Sequence, residues 1–169
     1  MAKNNHLFDI RLLQSSDLQI WKTIRLEAVK AYPEAFGSSY EEESLYTEDD
    51  FKRGLTESDI FGVFSKNDLI GTVGFFKLKP LKMQHRGTMF GMYIKPEHRG
   101  HGAAAQLIQA IISHARQNVL QLHCRVVSEN EIAIKFYQKY GFQIYGTEPR
   151  ALKVDEKFHD EHLMVLKFN

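Results

Sequence analysis

Cysteine is almost missing from these 169 residues: Cys124 stands alone. One thiol closes no disulfide, leaves a zinc cage without ligands, and suits a reducing compartment. Proline is sparse too, four scattered residues with no Ser/Gly-rich tract, so no stretch reads as a linker. Long apolar runs are missing. No window approaches the roughly 20 apolar residues of a membrane span, and the start MAKNNHLFDIRLL lacks the continuous apolar stretch of a secretion signal. A surplus of either charge is missing as well. Twenty-two Lys and Arg face 21 Asp and Glu, a net +1 that gives no case for nucleic acid or a membrane surface as partner. What is present is ordinary: 43% hydrophobic, 25% charged and 12% aromatic residues, enough for one core in a single domain over residues 1–169. A cytoplasmic protein is expected.

The apolar pattern switches period along the chain. Leu7 to Leu13 reads as a strand, and Ser15, Ser16 and Asp17 open a helix carrying Leu18, Trp21, Ile24 and Ala28 at helical spacing. Tyr32-Pro33 ends it, and one or two short helices are expected in the polar stretch Ser38 to Glu57. Asp59 to Ser65 and Leu69 to Leu78 read as an antiparallel pair, with Gly87 to Ile94 as a further strand stopped by Pro96. From Gly102, Ala104, Leu107, Ile108, Ile111 and Ala115 mark one face of a helix. Leu120 to Val127 is expected as a strand, Asn130 to Tyr140 as a helix ended by Gly141, and Phe142 to Thr147 and His162 to Phe168 as the last strands. The order predicts an α+β fold, helices on a largely antiparallel sheet.

The most informative run is Met92-Tyr93-Ile94-Lys95-Pro96-Glu97-His98-Arg99-Gly100-His101-Gly102-Ala103-Ala104. It is a strand, a proline-stopped turn, a loop of small residues and an amphipathic helix. The unpaired N–H groups and positive dipole end of that helix favour an anion. Gly100 and Gly102 let backbone approach it closely, Ala103 and Ala104 add little bulk, and Arg99 can add a charge-assisted contact. A pyrophosphate is the natural guest, although two glycines can also simply shape a connection. No Gly-Lys-Ser/Thr follows, which excludes a P-loop, and the glycine spacing does not meet a dinucleotide fingerprint.

The spacing Arg-x-x-Gly-x-Ala at Arg99, Gly102 and Ala104 resembles the signature loop of the GNAT superfamily of N-acetyltransferases. A second block, Asn130, Ala133, Phe136-Tyr137, Lys139 and Gly141-Phe142, resembles that family's Asn-x-x-Ala-x-x-Phe-Tyr-x-x-x-Gly-Phe segment. Ala104 stands where many members have a last glycine, which the family pattern tolerates. The resemblance implies a mixed, largely antiparallel sheet flanked by helices on both faces. It further implies acetyl-CoA as co-substrate, its pyrophosphate on Arg99, Gly100, His101, Gly102, Ala103 and Ala104, and its pantetheine and thioester on the backbone of Met92, Tyr93 and Ile94. Asn130 is implied to bond the pantetheine arm and Tyr137 to protonate the leaving thiolate. The implied activity is acetyl transfer to a primary amine, of a small molecule or a peptide, by direct attack; a homodimer stays open. The rival is a CoA-binding sensor or interaction module without turnover.

The residues keep plainer readings beside these. Gly91 marks a bulge or relieves packing against Phe90 or Tyr93, and Phe136, Tyr137 and Tyr140 can all be a core face. Ser128 to Glu131 has capping-box form, which makes Asn130 a helix-start residue. The general base is unassigned among Glu27, Glu34, Glu41, His85 and ordered water. Six acids between Glu41 and Asp50 either draw a cationic amine or are a solvated face, and Lys77, Lys79, Lys82, His85 and Arg86 either assist the nucleotide end or form a solvated loop. Arg25, Glu27, Phe36, Tyr40 and the segment Arg150 to Asp160 are expected around the acceptor. His98 and His101 have no Cys/His partner at ligand spacing, so no metal is expected.

Overall fold

The computed structural model describes residues 7–168; the reading of residues 1–6 lies outside that range. The first strand, β1 (Asp9–Leu12), leads through a 3-10 turn (Ser15–Asp17) into helix α1 (Leu18–Ala31). Asp17 pins this entry. Its carboxylate accepts from both Arg11 Nη atoms at 2.7 and 2.8 Å and from the Gln14 N–H at 2.7 Å. The Arg11 bond holds that carboxyl below the usual range. A Pro33–Ala35 turn follows, then α2 (Tyr40–Glu43) and α3 (Glu48–Glu57).

The acid-rich stretch is explained by those two short helices. Ser39 with Glu42, and Thr47 with Asp50, form reciprocal capping boxes. The six acids sit in the two first turns, where they complement the helix dipoles.

The sheet holds seven strands in the order β1-β2-β3-β4-β5-β7-β6, with β2 (Asp59–Ser65), β3 (Asp68–Lys77), β4 (Arg86–Ile94), β5 (Gln121–Val127), β6 (Gln143–Val154) and β7 (Lys157–Lys167). Between β4 and β5 lies α4 (Ala103–Asn118), and between β5 and β6 lies α5 (Glu131–Lys139). Every pairing is antiparallel except β4 with β5. That parallel pair runs only from Arg86↔Gln121 to Thr88↔His123, after which the strands part.

Two cores cover the two faces. Trp21, Ile24 and Val29 of α1 pack with Phe51, Ile60 and Phe64, while Leu107, Ile108 and Ile111 of α4 pack with Val63, Ile70, Val73 and, from α5, Ile134 and Tyr137. The mixed sheet with helices on both sides is as expected. Among the described residues no helix is long and apolar enough to cross a membrane.

The C-terminal hairpin departs from expectation. Its strands run to Val154 and from Lys157, far past the Thr147 and His162 limits read from the sequence. No residue of β6, at the sheet edge, is buried, so no alternation marks it. Pro149 lies in an irregularity between Glu148 and Leu152, an edge position that tolerates proline. Arg150 there has φ 52°, and its N–H donates to Asp160 Oδ1 at 2.8 Å.

Candidate active site

A V-shaped groove opens where β4 and β5 part. On the β4 side, Thr72 pairs with Tyr93 and Gly74 with Phe90, so Gly91 and Met92 together face Val73. Gly91 sits at φ +63°, the left-handed conformation of a glycine bulge. Its missing side chain also admits Arg25, whose Nη1 lies 3.1 Å from where a Cβ would stand. The bulge reading of Gly91 is therefore correct. Tyr93 turns into the α1 core, where its hydroxyl donates to Glu27 at 2.8 Å. Burial first, then Glu27, pushes that phenol up, so it stays neutral.

After β4 a 3-10 turn (Pro96–His98) leads to Gly100 and Gly102 at φ +79° and +90°. Only open space lies where side chains at either glycine would begin. Gly102 is the residue preceding α4 and offers no capping side chain; the first helical bond runs from the Gln106 N–H to the Gly102 carbonyl at 3.1 Å. Among the described residues the N–H groups from Gly100 to Ala105 have no hydrogen-bond partner, a consequence of starting a helix without Ser, Thr, Asp or Asn. Ala103 is buried beneath the loop, Ala104 lines the groove and His101 is exposed. Arg99 turns toward the groove wall: Nε donates to the Ile94 carbonyl and Nη1 to the Tyr32 hydroxyl, both at 2.9 Å. Its guanidinium stacks 4.9 Å from the Tyr32 ring centre, so of its nitrogens only Nη2 is unengaged.

The β5 side is closed by α5. Asn130 is the cap, its Oδ1 accepting from the Ala133 N–H at 3.1 Å. The Ser128–Glu131 capping box is thereby corrected: the Ser128 N–H donates to the Asp160 carbonyl, and Glu131 pairs with Lys135 at 3.2 Å. Asn130 lies two residues closer to the first helical turn and outcompetes Ser128. Ala133, Phe136 and Tyr137 face the groove. Tyr137 is buried beside Phe136 and Phe142, with ring centres 5.6 and 5.7 Å away. Burial, with Cys124 nearby, pushes its phenol upward, and its hydroxyl has no hydrogen-bond partner among the described residues. Tyr140 packs against Phe136 and does not line the groove. Cys124 is buried and its thiol is pushed up to about 12, so it stays protonated and is no nucleophile.

The groove encloses about 610 Å³, and its inner end is a chamber of about 60 Å³ sharing Ala35, Phe36, Met92 and Tyr137 with it. Tyr32 and Ala35 line the groove and Arg125 the chamber without any sequence pattern marking them as functional; only the aromatic run Tyr32-Pro33-Glu34-Ala35-Phe36 signals the first two. Of the candidate bases, Glu34 stands on the groove rim, Glu27 is engaged by Tyr93, Glu41 lies on α2, and His85 precedes β4. Lys77 to Arg86 sits at the start of β4, about 26 Å along the strand from Ile94. Of the two readings of this run, that position favours the solvated loop. Among the described residues no group of three or more His, Cys, Asp or Glu could hold a metal.

Arg25 and Glu43 form a buried pair at 2.6 Å, with Ser38 bonded to both. Arg125 Nη1 donates to Glu148 and, at 3.4 Å, to Glu161. Glu129, beside Asn130, accepts from Lys157 at 3.2 Å and pairs with His159 at 3.0 Å, tying the hairpin tip to the start of α5.

Comparison with known proteins agrees with this architecture. The chain is 26% identical over 110 residues to the ribosomal-protein-serine acetyltransferase of Escherichia coli, covering 62% of this chain and 58% of that protein, so the match spans little more than half of that relative. It is 25% identical over 170 residues to the spermidine N(1)-acetyltransferase of Vibrio cholerae, covering 96% and 94%. A GNAT-family acetyltransferase structure from Streptococcus pneumoniae superposes with a TM-score of 0.86 at 20% identity, over 96% of this chain and 99% of that one. The structure of yncA from Salmonella typhimurium with its cofactor acetyl-CoA gives 0.81 at 18%, over 96% and 94%. The model of the acetyltransferase (GNAT) family matches residues 21–142, which carry the bulged strand, the glycine loop and the Asn130–Tyr137 helix start, and the chain belongs to that family.

Proposed function

We propose that this protein is an N-acetyltransferase that moves an acetyl group from acetyl-CoA to a primary amine of a small molecule or peptide by direct attack. The observation that carries the reading is the row of unpaired N–H groups from Gly100 to Ala105, beside a groove that Arg99 and Ala104 line at one end and Tyr137 at the other. The residues fit acetyl-CoA. Two left-handed glycines clear the approach of a pyrophosphate to the helix start. Arg99 braces this loop against Ile94 and Tyr32 and offers Nη2 to the phosphates. The backbone of Met92, Tyr93 and Ile94, freed in part by the bulge, meets the pantetheine and the thioester carbonyl, and the Asn130 amide nitrogen faces the same arm.

Acetyl transfer needs a neutral amine, a polarised carbonyl and a proton for the departing sulfur. Tyr137 serves the last need: it lines the groove with its hydroxyl free of any partner among the described residues, placed to hydrogen-bond the departing sulfur and hand it a proton. Relatives carry acceptors as different as ribosomal protein and spermidine in their names, so the shared groove leaves the acceptor open. The test is a melting curve with acetyl-CoA and, in parallel, release of CoA thiol with a panel of amines. Acetyl-CoA is expected to raise the melting temperature, by about 2.7 kcal/mol of stabilisation at a hundredfold excess over Kd, and at least one amine to release thiol. No shift at saturation defeats the reading; a shift without thiol release from any amine selects the sensor instead.

A further inference from the structure

The segment from Tyr32 to Phe36 runs as a strap from the end of α1 to the inner chamber. Tyr32, Glu34, Ala35 and Phe36 line the groove, and Ala35 and Phe36 line the chamber as well. The middle of the strap, Pro33 to Ala35, is exposed. Among the described residues its backbone bonds reach only α1 and itself: the Tyr32 N–H donates to the Ala28 carbonyl and the Ala35 N–H to the Tyr32 carbonyl, each at 3.0 Å. Its place over the groove is therefore set by side chains, and each end is stacked on an arginine. Phe36, buried, has the Arg25 guanidinium 5.1 Å from its ring centre, and Arg25 is tied in turn to Glu43 and Ser38. Tyr32 has the Arg99 guanidinium 4.9 Å from its ring centre and accepts from Arg99 Nη1 at 2.9 Å.

The two anchors differ in origin. Arg25 belongs to α1 itself, whereas Arg99 belongs to the glycine loop. Arg99 is steadied from a second direction, because Nε donates to the Ile94 carbonyl at 2.9 Å and the Tyr93 ring lies 5.7 Å away, with the Tyr93 hydroxyl bonded to Glu27 at 2.8 Å. The guanidinium is thus a strut between loop and strap before any phosphate reaches it. We infer that Tyr32 is a positioning residue: through its bond to Arg99 it fixes the acceptor's wall, the strap, relative to the loop that receives the pyrophosphate. This role rests on the transferase reading above. It needs the planar fork of Arg99, which bonds Ile94 and Tyr32 at once; a lysine would keep the charge but is a point donor on a flexible stem. A displaced strap leaves the reacting end at Tyr137 in place and loosens the surface the amine rests on. The loss then falls on the amine's KM and spares kcat.

The experiment takes an amine that releases thiol in the native protein and compares Tyr32→Phe, Arg99→Lys and the double variant at saturating acetyl-CoA, with a melting temperature for each. Tyr32→Phe keeps the ring and its stack on Arg99 and removes only the bond. It is expected to raise the amine's KM about 3- to 10-fold, the worth of one hydrogen bond, with kcat and melting temperature close to native. Arg99→Lys is expected to raise the same KM although the charge is kept. The double variant is expected to go no further than Arg99→Lys alone, since both changes cut one link. An amine KM unchanged in Tyr32→Phe, a native KM in Arg99→Lys, or factors that multiply in the double variant would each overturn this role for Tyr32 and leave the transferase reading standing. If acetyl-CoA gives the native protein no melting shift, or no amine releases thiol, that reading fails and the role of Tyr32 falls with it.

Discussion

The two sides of the groove are built on opposite principles. The β4 side, from Gly91 to Ala104, works through backbone: positive φ at three glycines, an uncapped helix start and N–H groups left without partners. The acceptor side works through long charged side chains that are already paired, Arg25 with Glu43 and Ser38, and Arg125 with Glu148 and Glu161. Unpaired backbone donors make a site that any diphosphate of the right shape can use. Paired side chains make a surface whose chemistry can change residue by residue without disturbing the cofactor. A shared cofactor with varied acceptors is what such a division allows.

The comparison breaks most visibly at Tyr137, where the two sides meet. Tyr137→Phe keeps the ring packing with Phe136 and Phe142 and removes the hydroxyl that we propose protonates the sulfur. We expect kcat to fall about 10²- to 10⁴-fold, the usual worth of a positioned general acid, with the acetyl-CoA melting shift unchanged. A fall confined to KM would move the acid elsewhere. On the acceptor side the largest effect is on stability. Glu43→Ala leaves the Arg25 guanidinium, 16% exposed, without its carboxylate. Breaking a buried pair costs about 3–5 kcal/mol, and partial exposure puts this one at the low end. Denaturant titration reads the loss; a change below about 0.5 kcal/mol, the range of ordinary surface substitutions, would show that the pair is not a structural anchor.

That contrast also explains what the sequence made legible. The β4 side could be read because positive φ demands glycine at set positions: Gly91, Gly100 and Gly102 announce a bulge and a tight loop before any coordinates. The α5 side could be read through Asn130, Ala133 and Tyr137, which share one helix start. The acceptor side could not. Arg25 meets Glu43 18 residues away, and Arg125 meets Glu161 36 residues away, so no local pattern joins them. The β6–β7 extension escaped for a related reason, since an exposed edge strand interrupted near Pro149 shows neither alternation nor a buried stripe. The Ser128 capping box failed because two residues in one turn compete for the same N–H groups, and the chain's path after β5 decides which wins.

A smaller effect sharpens the β4 side. Gly102→Val faces open space, so nothing clashes, but a β-branched residue at φ +90° is strained by about 1–2 kcal/mol. The loop is expected to relieve this by turning its N–H groups away, which weakens acetyl-CoA by about tenfold as read by titration calorimetry. An unaltered affinity would mean that the pyrophosphate does not rest on this loop.

The smallest effect tests whether the acidic stretch belongs to the acceptor side at all. Thr47 caps α3 by accepting from the Asp50 N–H at 3.2 Å, and its own N–H and hydroxyl donate to the Asp50 carboxylate at 2.9 and 2.7 Å. Those bonds hold the Asp50 carboxyl below its ordinary value. A lowered folded-state value means that the stabilisation is present above the ordinary carboxylate range and is lost as pH falls through the folded value. Thr47→Ala is therefore expected to cost about 1 kcal/mol at neutral pH, with the deficit against the native protein shrinking in acid, and to leave KM for every amine unchanged. A shift in KM for cationic amines would instead place these carboxylates in the acceptor's path, because removing a cap acts on the helix and not on the charge of the residues it carries.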